Sequence, residues 1–464
     1  MKHSTDAIYD LLGIGVGPFN LGLCSLLQPL EGIDSLFFEA KPQFHWHEGM
    51  LISDATLQVP FLADLVTMVD PRSRFTYLNY LHEAGRLHQF SSYESFYVPR
   101  VEYNRYCQWV SQQLGNIRFC SEVIDIQIVD ELFHVTLLDT RSGERLTYRG
   151  RDIVMGIGTA PIWPAIANDL IGQENCIHSA QYLQSKSALQ NQRCITIVGS
   201  GQSAAEIFLD LLRDQPRFGY EINWLSRSRG FISMEYSKLG SEHFSPDYVE
   251  HFHGLSEANR LSAIQGQGLW YKGISTDTIK DIYDCLYIQS VERQLPVVIQ
   301  SRTELEHISS AEGSLRLNFK QLDMQKKFAF DTDALVLATG YGYQFPAFMR
   351  GLEAWLEFDS KGHAVVNRDY TLKTAGPIAG RIFVQNAELH SHGVGAPDLA
   401  MGAYRSATII NRLTGPTITL RAQRTCSRHS ASRLNGNRWK SGQLPRCMPR
   451  AHGHKVFAVP ARIG

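Results

Sequence analysis

The sequence predicts an α/β fold with two Rossmann-like dinucleotide-binding domains and a smaller, mostly helical substrate region. Three observations carry that prediction. Glycine turns at Gly13, Gly15 and Gly17, and again at Gly199 and Gly201, each follow one apolar run and precede another. The next strand-like run ends in an acid, Glu39, in the first unit and in arginines, Arg227 and Arg229, in the second. The stretch 231–299 is instead aromatic at helical spacing (Phe244, Tyr248, Trp270, Tyr271, Tyr283, Tyr287).

The first unit is LLGIGVGPFN, a strand, a tight turn and a helix start. Glycine permits the turn and lets backbone amides approach a pyrophosphate, whose charge the helix N-terminus stabilises. Glu39 can take a ribose hydroxyl pair, which points to FAD. The segment 43–47 follows, where Trp46 and His47 form a candidate wall against a flat ring system; one short segment offers too few ligands for a metal. Asp54, Gln58, Asp64 and Asn79 then sit in apolar surroundings, and buried polar groups need partners, some of them expected on a ligand. Residues from Arg100 read as an amphipathic helix, and 123–158 as antiparallel strands turning at Arg141–Glu144. A proline-rich crossing at Pro161 and Pro164 closes the first segment, 1–165.

The second unit runs from RCITIVGSGQSAAEIF, with Gly199, Gly201, Gln202 and Ser203 at its turn and an alanine that permits close helix–strand packing. Arginine where the first unit has an acid favours a 2′-phosphate, by charge-assisted forked hydrogen bonds, and so NADPH. The expected NADPH-binding segment is 166–334, with the helical region at about 231–299. Strands return at 314–322 and 328–330. Thr339 and Gly340 mark a junction where the chain returns to the first domain, giving a return segment 335–412. There Gly393, Pro397, Asp398 and Leu399 precede a helix and form a candidate site for the flavin end of FAD.

Bulk properties narrow the function. The 464 residues have room for two or three domains. The formal net charge of −1 gives no general attraction to nucleic acid or anionic membrane. No charged-then-apolar leader precedes Gly13 and no apolar run is long enough for a membrane span, so a cytoplasmic protein is expected. The eight cysteines form no Cys-x-x-Cys and no zinc-spaced cluster, so no metal is expected. From Leu399 to Gly464 there is no Asp or Glu. The segment 413–464, without apolar period, is expected to be a disordered or atypical tail.

Six stretches, GIGVGPFN, FHWHEGMLISDATLQVPFLADLV, FTYLNYL, VGSGQSAAEIF, LATGY and HSHGVGAPDL, resemble in order the N-hydroxylating flavin monooxygenases. These enzymes oxidise lysine, ornithine or diamines for hydroxamate siderophores, and the likeness runs over about 7–412. The resemblance implies a cytoplasmic homo-oligomer, a dimer or tetramer, using FAD, NADPH and O2. It also implies oxygen transfer from a C4a-hydroperoxyflavin to an unprotonated amine, without a protein acid–base pair. Pro18 and Asn20 would join Gly13, Gly15, Gly17 and Glu39 around FAD. Trp46, His47 and Gln58 would lie along the flavin.

One departure bears on substrate. The amino-acid hydroxylases of this family carry, in the segment matching FLADL, a lysine that pairs with the substrate carboxylate; here the residue is Ala63. Ala400 stands where a serine is usual, and Ser241 where the ornithine enzymes have a substrate-contacting asparagine. A buried carboxylate without a partner is costly. The expected substrate is therefore a diamine, cadaverine or putrescine, with L-lysine or L-ornithine as the alternative. A flavin disulfide reductase would need a redox cysteine pair, and a flavoprotein sensor would lack substrate-dependent turnover.

Overall fold

The strand Ile8–Ile14 is the centre of the first sheet because both of its flanks are paired. Ser35–Phe38 and Arg145–Met155 run parallel to it, with Leu11 opposite Ser35 and Gly13 opposite Val154. In this computed structural model, which describes residues 4–415 apart from 312, the sheet order is Ile117–Arg118, Ser35–Phe38, Ile8–Ile14, Arg145–Met155, Leu132–Asp139, Ser121–Val129. Besides Ile8–Ile14, Arg145–Met155 serves two further partners. Its first half pairs antiparallel with Leu132–Asp139, whereas its last residues also pair in parallel with Ile382–Val384. That late strand brings the chain back to the first sheet. Helix Pro18–Leu27 covers this sheet with Leu21, Leu23 and Cys24 fully buried, and helix Ala400–Thr414 crosses it, Gly402 lying against the Phe19 ring.

The second sheet is parallel throughout, in the order Val297–Gln300, Glu221–Leu225, Cys194–Val198, Ala334–Leu337, Cys176–His178. Its strands read as near-continuous apolar runs because helices cover the faces. Helix Gln202–Phe218 buries Ala204, Ala205, Ile207, Phe208, Leu211 and Leu212, and ends at Gly219 in the left-handed region. A three-stranded antiparallel sheet, Thr303–Ala311, Ser314–Gln321 and Lys326–Thr332, follows it. The chain passes between the two large sheets twice, and the passages pair with each other: Tyr341 lies opposite Pro161 and Gly342 opposite Ala160.

The helical region differs in extent from the expectation. Pro246–His253 and Glu257–Gly266 are helices. Thr276–Ser290 packs on Gln202–Phe218 as a layer of the second unit, with Ile282 of its inner face in that core. Val297–Gln300 is the edge strand of the second sheet, not helix. The tail expected from residue 413 lies, beyond Gly415, outside the described residues. Among the described residues no helix is long and apolar enough to cross a membrane.

Candidate active site

A cavity of about 1590 Å³ opens between the two units. That is more room than a drug-sized ligand needs, roughly 300–1,000 Å³. Trp46, His47, Gln58, Gly199, Gly201, Gln202, Ser203, Arg227, Ser241, Thr339, Gly340, Pro397, Asp398, Leu399 and Ala400 all line it. Gly13, Gly15, Gly17, Pro18, Asn20, Glu39, Ala63 and Gly393 are not among its lining residues.

Both turns nevertheless fit a dinucleotide. Each helix begins at a glycine, Gly17 or Gly201, with no side chain capping it, so its first N–H groups are left for a phosphate. Gly15 has φ +79°, and a Cβ there would come within 2.9 Å of the Gly156 carbonyl oxygen. Gly199 has φ +151°, and its Cβ would lie 2.3 Å from the Ala338 carbonyl oxygen, so the second turn presses directly on the junction strand. Glu39 accepts hydrogen bonds from Val16 N at 2.8 Å and Lys41 N at 3.1 Å, which fixes its carboxylate beside the first turn.

Three residues sit at the turns in other roles than their motif suggests. Asn20 is fully buried: its Nδ2 donates to the carbonyls of Ile14 and Gly15, at 3.2 and 2.7 Å, and its Oδ1 accepts from Gln385 at 2.6 Å. It shapes the turn from behind. The Gln202 amide likewise points into the protein, donating to Glu206 and Thr278 and accepting from Ser275 N at 2.7 Å. Gly393 backs onto the Phe252 ring, 3.0 Å from where a Cβ would stand, and is a packing position.

The ring wall is assembled from several elements. Trp46 is held by its N–H on Asn104 Oδ1 at 3.0 Å, and its ring meets Tyr103 and His47 edge-on. His47 adopts φ 51° and faces the cavity, with Tyr341 edge-on at 5.8 Å. Its place in the cavity wall, with Arg100 and Lys41 nearby, lowers its proton affinity below the ordinary histidine value. Thr339 Oγ1 donates to the Ile162 carbonyl, and His178 Nε2 contacts the Gly340 carbonyl at 3.1 Å; these bonds tie the two passages together. Burial pushes the Asp398 carboxyl up to about 6 although Ala400 N donates to it at 2.7 Å.

Of the four polar residues expected in apolar surroundings, Gln58 alone lines the cavity. Asp64 is satisfied locally by Val66 N, Thr67 N, Thr67 Oγ1 and Tyr77 N. Asp54 is a surface partner of Arg213, and Asn79 donates to the Arg74 carbonyl. Ala63 is buried, 3% exposed, its N–H bonded to the carbonyl of the lining residue Pro60 at 2.8 Å. Ser241 lies on an exposed 3₁₀ turn, its Oγ donating to the Ser237 carbonyl at 3.1 Å. Sequence reasoning missed Arg100, Lys272 and Glu304, all of which line the cavity. Nothing local marks them; they reach it through the way the two units pack. Among the described residues no group of His, Cys, Asp or Glu is arranged to hold a metal.

Residues 7–343 match the family model of L-lysine 6-monooxygenase/L-ornithine 5-monooxygenase. The chain belongs to this family. A putrescine N-hydroxylase of Shewanella oneidensis is 46% identical over 416 residues, covering 89% of this chain and 82% of that relative. One from Acinetobacter baumannii is 40% identical, covering 88% and 90%. Among solved structures, the FAD-bound cadaverine monooxygenase DfoA of the desferrioxamine pathway of Erwinia amylovora superposes with a TM-score of 0.86. It is 40% identical, covering 91% of this chain and 98% of that one.

Proposed function

We propose that this monooxygenase hydroxylates a terminal amine of an aliphatic diamine, cadaverine or putrescine, with FAD, NADPH and O2, for a hydroxamate siderophore. The observation that carries the diamine is a carboxylate in the cavity wall, Asp398, beside the apolar Ala400. Ala63 and Ala400 are both apolar. Among the described lining residues, Arg100 is engaged by Glu206, Arg227 stands by Glu304, and Lys272 lies beside the second turn, its carbonyl 3.6 Å from a Cβ at Gly201. Asp398, by contrast, offers an ammonium a carboxylate. The named activities of the Shewanella, Acinetobacter and Erwinia relatives support the same substrate class.

FAD would be held by Gly13, Gly15, Gly17, Pro18 and Glu39, with Trp46, His47, Gln58 and the 397–399 segment beside the flavin; Gly199, Gly201, Ser203 and Arg227 would hold NADPH. Bound, reduced flavin and O2 supply the oxygen atom. The chain's own work is to orient the amine and exclude water. Phe244, Trp270 and Tyr271 give the cavity an apolar wall, His47 has a lowered proton affinity, and the Gln58 amide, with Met234 Sδ at 3.9 Å, is open to a ligand. Among the described residues the cysteines are free thiols, Cys24, Cys107, Cys120 and Cys176 buried and Cys194 and Cys285 partly so. The reading includes a cytoplasmic homo-oligomer, to which the exposed stripe Tyr283, Tyr287, Ile288 and Val291 lends support.

The test is NADPH oxidation with hydroxylamine product measured across cadaverine, putrescine, lysine and ornithine. Efficient product from lysine or ornithine, with little from either diamine, would overturn the diamine assignment.

A further inference from the structure

At the end of the Glu221–Leu225 strand, where the adenosine ribose of a nicotinamide dinucleotide is placed, two opposite charges face the same part of the cavity. Arg227 and Glu304 both line it, Nη1 to Oε1 at 3.9 Å, a contact beyond hydrogen-bond reach. Backbone hydrogen bonds fix this juxtaposition: Thr303 N donates to the Ser226 carbonyl at 2.8 Å and Arg302 N to the Ser228 carbonyl at 2.9 Å. Neighbouring charges are already matched, Arg302 by Asp323 at 2.9 Å and Glu306 by Lys327 at 2.7 Å. Arg227 and Glu304 are therefore loosely paired charges that line the cavity, their side chains 79% and 43% exposed.

An arginine here favours a 2′-phosphate, whereas an acid favours a free ribose hydroxyl pair. We propose that Glu304 is a second determinant of nicotinamide-cofactor choice: it opposes the 2′-phosphate and accepts a ribose hydroxyl, tempering the NADPH preference set by Arg227. The proposal rests on the reading that Arg227 meets the adenosine ribose. A phosphate on the guanidinium brings like charge close to the Glu304 carboxylate. The exposed fork of Arg227 can turn aside when NADH is bound.

The experiment uses flavin-loaded enzyme and two fragments, 2′,5′-ADP and 5′-AMP, whose binding is measured by calorimetry without turnover, alongside KM for NADPH and NADH. Glu304→Gln keeps the shape and removes the charge. It is expected to tighten 2′,5′-ADP about five- to tenfold, as removal of a partly screened like charge should. It should weaken 5′-AMP about twofold and raise the NADPH-over-NADH ratio of kcat/KM about tenfold. Added salt should shrink the difference in 2′,5′-ADP affinity between variant and parent. Unchanged fragment affinities overturn the proposal. So does weaker 2′,5′-ADP binding by Glu304→Gln, which would make Glu304 a positioning partner of Arg227. Arg227→Ala separates the underlying reading: if it leaves 2′,5′-ADP binding untouched, the ribose does not lie at Arg227 at all.

Discussion

Arg100 and Glu206 form a two-pronged ion pair across the junction of the two nucleotide units, Nη1 to Oε2 at 3.0 Å and Nη2 to Oε1 at 2.7 Å. Both side chains are buried, and Arg100 also donates to the Met50 carbonyl at 2.9 Å. Glu206 further accepts from Gln202, at the start of the second helix. The helix that begins at Arg100 and the one that begins at Gln202 are thereby locked together at their N-terminal ends. Glu206→Leu strands a buried guanidinium and should destabilise the holoenzyme by about 3–5 kcal/mol. Arg100→Met with Glu206→Leu should recover most of that loss. Denaturant titration of the four proteins measures it, and a double variant as unstable as Glu206→Leu would count against the pairing.

Gly15→Val should yield protein without bound flavin. Its φ of +79° is unfavourable for a β-branched residue, and its Cβ would press on the Gly156 carbonyl. Absorbance at 450 nm per folded protein reads the outcome; stoichiometric flavin in a folded variant would show that FAD lies elsewhere.

Asn20→Ala tests the support behind that turn. It leaves the Gly15 carbonyl and the Gln385 amide without their partner, a cost of about 1–3 kcal/mol. Both the unfolding free energy and flavin affinity should fall. A variant with lower stability but full flavin affinity would place Asn20 in the core alone.

These turns were legible in the sequence because glycine spacing, strand and helix recur together in both units. The motif located the strand–turn–helix units but not which way each side chain faces. Asn20 and Gln202 turned out to hold the protein's own backbone and neighbouring helix, which only tertiary packing decides. Val297–Gln300 was unreadable for another reason: three apolar residues, Val297, Val298 and Ile299, are too few to carry a period that separates strand from helix. The partners Arg100–Glu206 and Arg227–Glu304 are far apart in sequence, and no local pattern announces such pairs.

Substrate choice should follow charge. A charged hydrogen bond is worth roughly 1.5–3 kcal/mol, so lysine and ornithine, lacking a carboxylate partner, should trail the diamines by about ten- to a hundredfold in kcat/KM. Ala63→Lys should narrow that gap and weaken diamine binding by repulsion. Because Ala63 is buried and is not among the residues lining the cavity, the new side chain must find a way out of the packing, so thermal stability should fall as well. Unaltered discrimination in a folded Ala63→Lys protein would mean that position 63 does not reach the substrate.

Acid should weaken the fold through its buried imidazoles. His392, stacked on Tyr370 at 4.4 Å and 1% exposed, is held well below the ordinary histidine value by burial and then by His253. Folded, it stays neutral; unfolded, it takes a proton below about pH 6.5. Unfolding is therefore favoured as pH falls through that window, by up to about 1.4 kcal/mol per pH unit for such a group. Asp398 and Glu388, whose values burial raises, act in the opposite sense. The clean measurement compares parent with His392→Asn between pH 7.5 and 5.5: the variant's stability should decline less steeply. Parallel slopes would exclude His392 as a source.

The pairing of Ala160–Pro161 with Tyr341–Gly342 has a consequence for modularity. Facing residues in an antiparallel pair lie about 5 Å apart. Everything between these passages, the second sheet and the Phe244, Trp270 and Tyr271 cavity wall included, therefore leaves and rejoins the first unit at almost one point. A segment with adjoining ends can be accepted, lost or exchanged by a host without stretching either partner. The second unit is thus an insertion in architectural terms, a cassette that can be remade while the first sheet keeps its register.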